Sequence, residues 1–195
     1  MSGEIVYLSV AEHELSDTQI SNYNQYASTY FPMASPIHQP TAYYNCHSFA
    51  WYLASNFNPY WLNDISPFLN DATCTPVAPS DAQGNDIIIY LDSYGHVLHS
   101  AIIDRIDTNG NIYVISKWGA GGAYNHLISY APPEYMSNPS SGTYSYAILR
   151  YHDYTNKFTG NEYHTGKQHF YEYANFCKIC EYAKKYILVY HLSAI

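Results

Sequence analysis

Two hydrophobic periods divide the chain. Between Leu15 and Tyr30, Ile20, Tyr23, Tyr26 and Ala27 recur at the three- and four-residue spacing of a helix with one covered face. Ser16 and Asp17 give that helix a capping signal, and it ends before Pro32. The stretch FPMASPIHQPT, broken by Pro32, Pro36 and Pro40, reads as an extended connector. Asn45 is a good N-cap for CHSFAWYLASN, which contains neither Gly nor Pro, so a second helix is expected with Cys46 in its first turn and an end near NPYW. From Asn56 to Asn85 the chain is rich in Asn, Asp, Ser and Pro and reads as loops. The period then changes to that of strands: DIIIYL from Asp86, then HVLHSAIIDRI, NIYVISKW and TYSYAILRYH, separated by DSYG, TNG and GAGG turns. APPEYMSNPSSG reads as a surface loop. Helix first and antiparallel strands after is an α+β order.

After Tyr151 the composition shifts to a segment holding His152, His164, His169, His191, Cys177 and Cys180. The expected organisation is one domain over residues 1–152 and a small C-terminal module over 153–195. Hydrophobic residues make up 47% of the 195-residue chain and charged residues only 12%. Its 24 tyrosines put many of those apolar rings on polar tips, so the chain reads as folded and polar-surfaced. A net charge of -8, from 16 acidic and 8 basic residues, repels phosphate backbones and argues against a nucleic-acid partner. No window is long and apolar enough for a membrane helix. The opening MSGEIVYLSVAEHELSD lacks a basic n-region and an apolar run of signal-peptide length, so an exported product would carry its signal outside this sequence.

Cys46 carries the first candidate chemistry. A cysteine in the first turn of a helix meets free backbone N–H groups that favour thiolate and can also hold an oxyanion, as a nucleophile requires. A small residue buried against a sheet would occupy the same place. A base is available in HVLHSAIID, where His99 opens an apolar run and the small Ser100 and Ala101 leave room for a facing helix. His96, three residues earlier, falls on the other face of a regular strand and is expected at the turn. His47 points about 100 degrees away from Cys46 on the helix, which makes it a cleft-lining residue rather than the base. Phe49 and Trp51 suit core and groove wall, and Trp118 with the glycines of WGAGG suits the opposite wall.

The order of a helix opening with Cys46, the strand DIIIYL, the strand carrying His99 and the strand NIYVISKWG resembles the papain-like cysteine hydrolases of the NlpC/P60 and CHAP superfamily, over roughly residues 40 to 150. The resemblance implies a papain-like α+β fold with N-terminal helices packed on an antiparallel sheet. It also implies a peptidase or amidase of bacterial cell-wall peptides with Cys46 as nucleophile, His99 as base and no catalytic cofactor. A secreted or cell-envelope location would follow. The family's third residue, which orients the imidazole, aligns with Ser116; Lys117 beside it has no acceptor to offer. The chain departs from the family at Asn85-Asp86, where Gly-Asp is common, at Asn45, where an Asp often precedes the nucleophile, and at Ser116 itself, where His, Asn, Gln or Glu is usual.

The tail carries a separate signal. Cys177 and Cys180 have CxxC spacing, and with His164 and His169 they would complete a closed structural zinc site; free or disulfide-bonded cysteines are the competing reading. A thioredoxin-type CxxC lacks the surrounding βαβ context, and Cys74 in NDATCTP reads as an unpaired loop residue. Two other classes of function compete with the hydrolase: a non-catalytic wall- or glycan-binding module that keeps the fold, and a zinc-stabilised interaction protein.

Overall fold

The computed structural model describes residues 7–52, 60–70, 74–151 and 188–192. The fold is α+β, with a mostly antiparallel strand set and few helices. Helix α1 (Asp17–Tyr30) opens on a capping box in which the Ser16 hydroxyl accepts from the Gln19 N–H and the Gln19 side chain accepts from the Ser16 N–H. Helix α2 (Cys46–Tyr52) starts at Cys46, with Asn45 as its cap: the Asn45 carboxamide oxygen accepts from the Ser48 N–H at 3.0 Å. The four strands read from alternation are present as β5 (Ile87–Leu91), β6 (Val97–Ile106), β7 (Ile112–Lys117) and β9 (Ser145–Tyr151).

The span 56–85, expected as loops, is structured over much of its described length. It carries β3 (Trp61–Leu62), α3 (Ser66–Asn70) and β4 (Cys74–Val77). Elements of two to five residues are too short to show a period, which is why composition pointed to loop. Cys74 accordingly lies buried in β4, paired with Tyr151, rather than in a loop. The proline-rich connector contains β2 (Ser35–His38), whose single proline, Pro36, is tolerated because the strand is a sheet edge. Three more strands lay outside the sequence expectation: β1 (Tyr7–Ala11), β8 (Ala123–Leu127) and β10 (Leu188–Leu192).

Seven strands form one sheet in the order β2-β8-β7-β6-β5-β9-β4, antiparallel throughout. A second sheet, β10-β1-β3, pairs β1 in parallel with β10, so a strand from the expected 153–195 module lies against one from the first residues of the chain. The IIIYL run of β5 is apolar at every position because the sheet is covered on both faces. On one face Ile87, Ile89 and Leu149 pack with Ala50 and Trp51 of α2 and with Leu62, Ile65 and Phe68. On the other, Ile88 and Tyr90 pack with Ala101, Ile103, Ile112, Val114 and Ile148, beneath Ile128 and Tyr144. An ion pair locks the head of β5 to β9: Arg150 donates from Nε and Nη2 to the two oxygens of buried Asp86, each at 2.8 Å.

Candidate active site

The turn that presents Cys46 is held from several sides. The Glu14 carboxylate accepts from the Thr41 hydroxyl at 2.6 Å and from the Ala42 N–H at 2.7 Å, and the Trp61 indole donates to the Ala42 carbonyl. Asn45 bridges to β3, donating to the Leu62 carbonyl at 3.0 Å and accepting from its N–H at 3.2 Å. Below the turn, fully buried Lys117 donates to the carbonyls of Thr41 and Gly121, each at 3.0 Å, and to that of Gly119. Burial pulls the Lys117 ammonium down to about 7, while Cys46 and Glu14 pull it back up. Three carbonyls match the three N–H bonds of an ammonium, and a neutral amine has only two to give, so this cage fits the charged form. Next to Gly121 in the chain, Gly122 has no room for a side chain: an added Cβ would stand 2.7 Å from the His38 carbonyl oxygen.

Within this frame the Cys46 thiol is buried, and burial pushes it up to about 11. The N–H groups of Ser100, His47 and Cys46 itself, together with the Lys117 charge, oppose that shift. The Ser100 contribution places the sulfur beside the backbone of β6, one residue past His99. His47, the next helical residue, bonds through Nδ1 to the Ser100 hydroxyl at 2.7 Å, and burial lowers its pKa to about 4.

His99 does not face α2. The alternation of β6 sets Ser100 and Ile102 toward the helix, and His99 shares its face with Tyr90, Ala101 and Ile103. The small residues Ser100 and Ala101 therefore split between the faces instead of opening one of them for the helix. His99 is fully buried, and neither ring nitrogen has a hydrogen-bond partner among the described residues, Cys46 included. Its imidazole lies against Tyr135 at 3.8 Å between centroids and 8° between planes. Burial first, then His47 and His126, hold its pKa well below the ordinary histidine value. The Tyr135 phenol is pushed upward by burial and then by the Cys46 charge.

Ser116 does not orient His99. Its hydroxyl meets His126 Nε2 at 2.7 Å and accepts from the Trp118 indole at 3.0 Å. His126 donates from Nδ1 to the Leu127 carbonyl at 2.8 Å, which leaves Nε2 as acceptor and makes Ser116 the donor. The register explains the difference: Ser116 pairs with Tyr124 on β8, on the far side of β7 from β6, and His126 stands two residues farther along that strand on the same face. His96 sits in the β5–β6 turn, with Nδ1 2.9 Å from Asp92 Oδ2. His126, Tyr135 and Lys117 were missed as site residues; the one local signal was AYNHL, a five-residue run too short to stand out as a strand beside GAGG.

His164, His169, Cys177 and Cys180, the expected zinc ligands, lie outside the described residues. Among the described residues, no group of three or more His, Cys, Asp or Glu side chains could hold a metal ion, and no helix is long and apolar enough to cross a membrane. Comparison with family models, curated proteins and solved structures finds no match to this chain.

Proposed function

We propose that the chain is a papain-like cysteine hydrolase of the NlpC/P60 and CHAP type, a peptidase or amidase that cleaves peptide bonds of bacterial cell-wall peptidoglycan. The observation that carries this reading is His99, a fully buried imidazole on the β6 face turned away from α2, with neither nitrogen partnered among the described residues, one residue before the N–H that acts on the Cys46 sulfur. A buried polar group without a partner costs about 1–3 kcal/mol; the Trp51 indole N–H is also unpartnered among the described residues, but of the two only the imidazole can take up and release a proton near neutral pH. The order of elements supports the same reading: α2 opens with Cys46, and β5, β6 and β7 follow as neighbours in one sheet.

In this mechanism the thiol and imidazole rest neutral, since burial raises one and lowers the other. The Cys46 sulfur attacks the amide carbonyl as His99 takes the thiol proton, and His99 then delivers that proton to the leaving amine. Water deprotonated by His99 hydrolyses the thioester and regenerates the thiol. The hydrogen bond between sulfur and imidazole forms with substrate in place, as catalytic contacts that are loose in a free enzyme tighten in the complex.

The test is release of new amino groups from purified peptidoglycan sacculi. The wild-type chain releases them, and Cys46→Ala and His99→Leu do not; equal release by all three chains contradicts the proposal. The unmade Cys46–His99 bond favours a second reading, a wall-binding module that retains the fold without catalysis. Binding to sacculi with no amine release by the wild type selects that reading.

A further inference from the structure

A catalytic imidazole is commonly oriented by a hydrogen-bond acceptor on one nitrogen, which fixes the ring plane and the tautomer together. Around His99 no such acceptor is found among the described residues, and the serine aligned for the role serves His126 instead. An imidazole without hydrogen bonds turns about its Cβ–Cγ bond, a torsion with a broad minimum, unless its faces are held.

The faces of His99 are held. Tyr135 covers one at 3.8 Å and 8°, a parallel stack, and Tyr90, its cross-strand partner on β5, packs against the ring at 5.4 Å and 44°. Tyr135 belongs to a 3-10 turn, Pro133–Tyr135, that is pinned to the sheet nearby. The Tyr90 hydroxyl donates to the Ile128 carbonyl at 2.9 Å, the Tyr144 hydroxyl donates to the Ala131 carbonyl, and Ala131 and Pro132 are buried. The ring over His99 is thus carried by an anchored turn.

We propose that Tyr135 is the positioning residue of His99: a parallel ring stack, in place of a hydrogen-bond acceptor, fixes the imidazole plane and leaves both nitrogens free to carry the proton from the Cys46 sulfur to the leaving amine. The role rests on the hydrolase reading above. An acceptor occupies one nitrogen and selects one tautomer, whereas a stack restrains orientation only, so thiol and substrate decide which nitrogen carries the proton.

The test uses the full chain and iodoacetamide as the probe of Cys46. Alkylation rates are measured in wild type, Tyr135→Phe and Tyr135→Leu, each with His99 and with His99→Leu. The ratio within each pair isolates the histidine's contribution, because any change in access to the sulfur divides out. Tyr135→Phe, which restores the ring without the hydroxyl, keeps the wild-type ratio, and Tyr135→Leu lowers it by about tenfold, the upper worth of a ring stack. A ratio near one in the wild type removes the hydrolase reading and the positioning role with it. A large wild-type ratio that Tyr135→Leu leaves unchanged or raises overturns the positioning role alone. A carbon–proton correlation spectrum gives a second readout that does not depend on the leucine variant folding. Stacking moves the His99 ring protons upfield in wild type and Tyr135→Phe, and ordinary shifts in the wild type overturn the stack.

Discussion

His126 and His99 are both buried imidazoles on the sheet face that turns away from α2, and they differ in what their nitrogens do. His126 uses both, one on the Ser116 hydroxyl and one on the Leu127 carbonyl, and the Trp118 indole closes the cluster. His99 uses neither. Burial depresses both rings, so environment alone does not separate them; partnership does. The satisfied histidine contributes to stability, and the unsatisfied one costs stability and remains available for proton transfer. On the proposed reading, folding and chemistry are divided between two residues that the sequence presents as alike.

The widest separation between them comes from apolar replacement of each in turn. His99→Leu lowers Cys46-dependent turnover by roughly 10²–10⁴-fold, the contribution of a general base, and leaves the melting temperature unchanged or higher, because an unpaired polar group has left the interior. Thermal denaturation alongside the peptidoglycan assay checks both halves; a large loss of stability would place His99 with His126. Acid gives the next largest effect. His126 has a folded pKa near 4 against the ordinary 6.5, so its contribution is fully present above pH 6.5. As pH falls toward 4 the unfolded chain takes up a proton that the folded chain refuses, and about 3 kcal/mol is lost. Urea unfolding at stepped pH measures the slope, to which His47 and His99 also contribute, and His126→Leu reduces it by one histidine's share.

At neutral pH His126→Leu costs about 1–3 kcal/mol by stranding Ser116, while the His99 contribution to Cys46 alkylation stays as in wild type. Ser116→Ala costs a similar amount, about 1–3 kcal/mol, by stranding His126 Nε2 and the Trp118 indole N–H, also without effect on that contribution. A Ser116→Ala variant that loses the His99 contribution would restore the serine to the orienting role expected from its place in chain order.

Much of the architecture was legible because its signals are local. The capping signal at Ser16 and Asp17, which the structure completes as a box with Gln19, the Asn45 cap and the alternation of β6 and β7 each act within a few residues, and the structure contains each of them. β8 was hidden because Gly121 and Gly122 crowd its start and only five residues follow before the next turn. The face of His99 was illegible for a different reason. Alternation says that Ser100 and His99 point opposite ways, but not which of them meets α2, and the neighbouring IIIYL run is buried on both faces and gives no direction. Tyr135 was unreadable because its role depends on where the Pro133–Tyr135 turn folds back, a contact thirty-six positions along the chain from His99 that no period encodes. The partners of Ser116 and Lys117 depend in the same way on sheet order and on a loop that returns beneath α2.

The central claim, that His99 is the proton partner of Cys46, is tested most directly by site-resolved iodoacetamide labelling of the native chain, with Cys46 and Cys74 quantified separately by mass spectrometry. Both cysteines are buried, so Cys74 serves as the internal reference. The account predicts faster labelling of Cys46 than of Cys74, with the advantage lost in His99→Leu. Labelling of Cys46 no faster than Cys74, at a rate indifferent to His99, contradicts it.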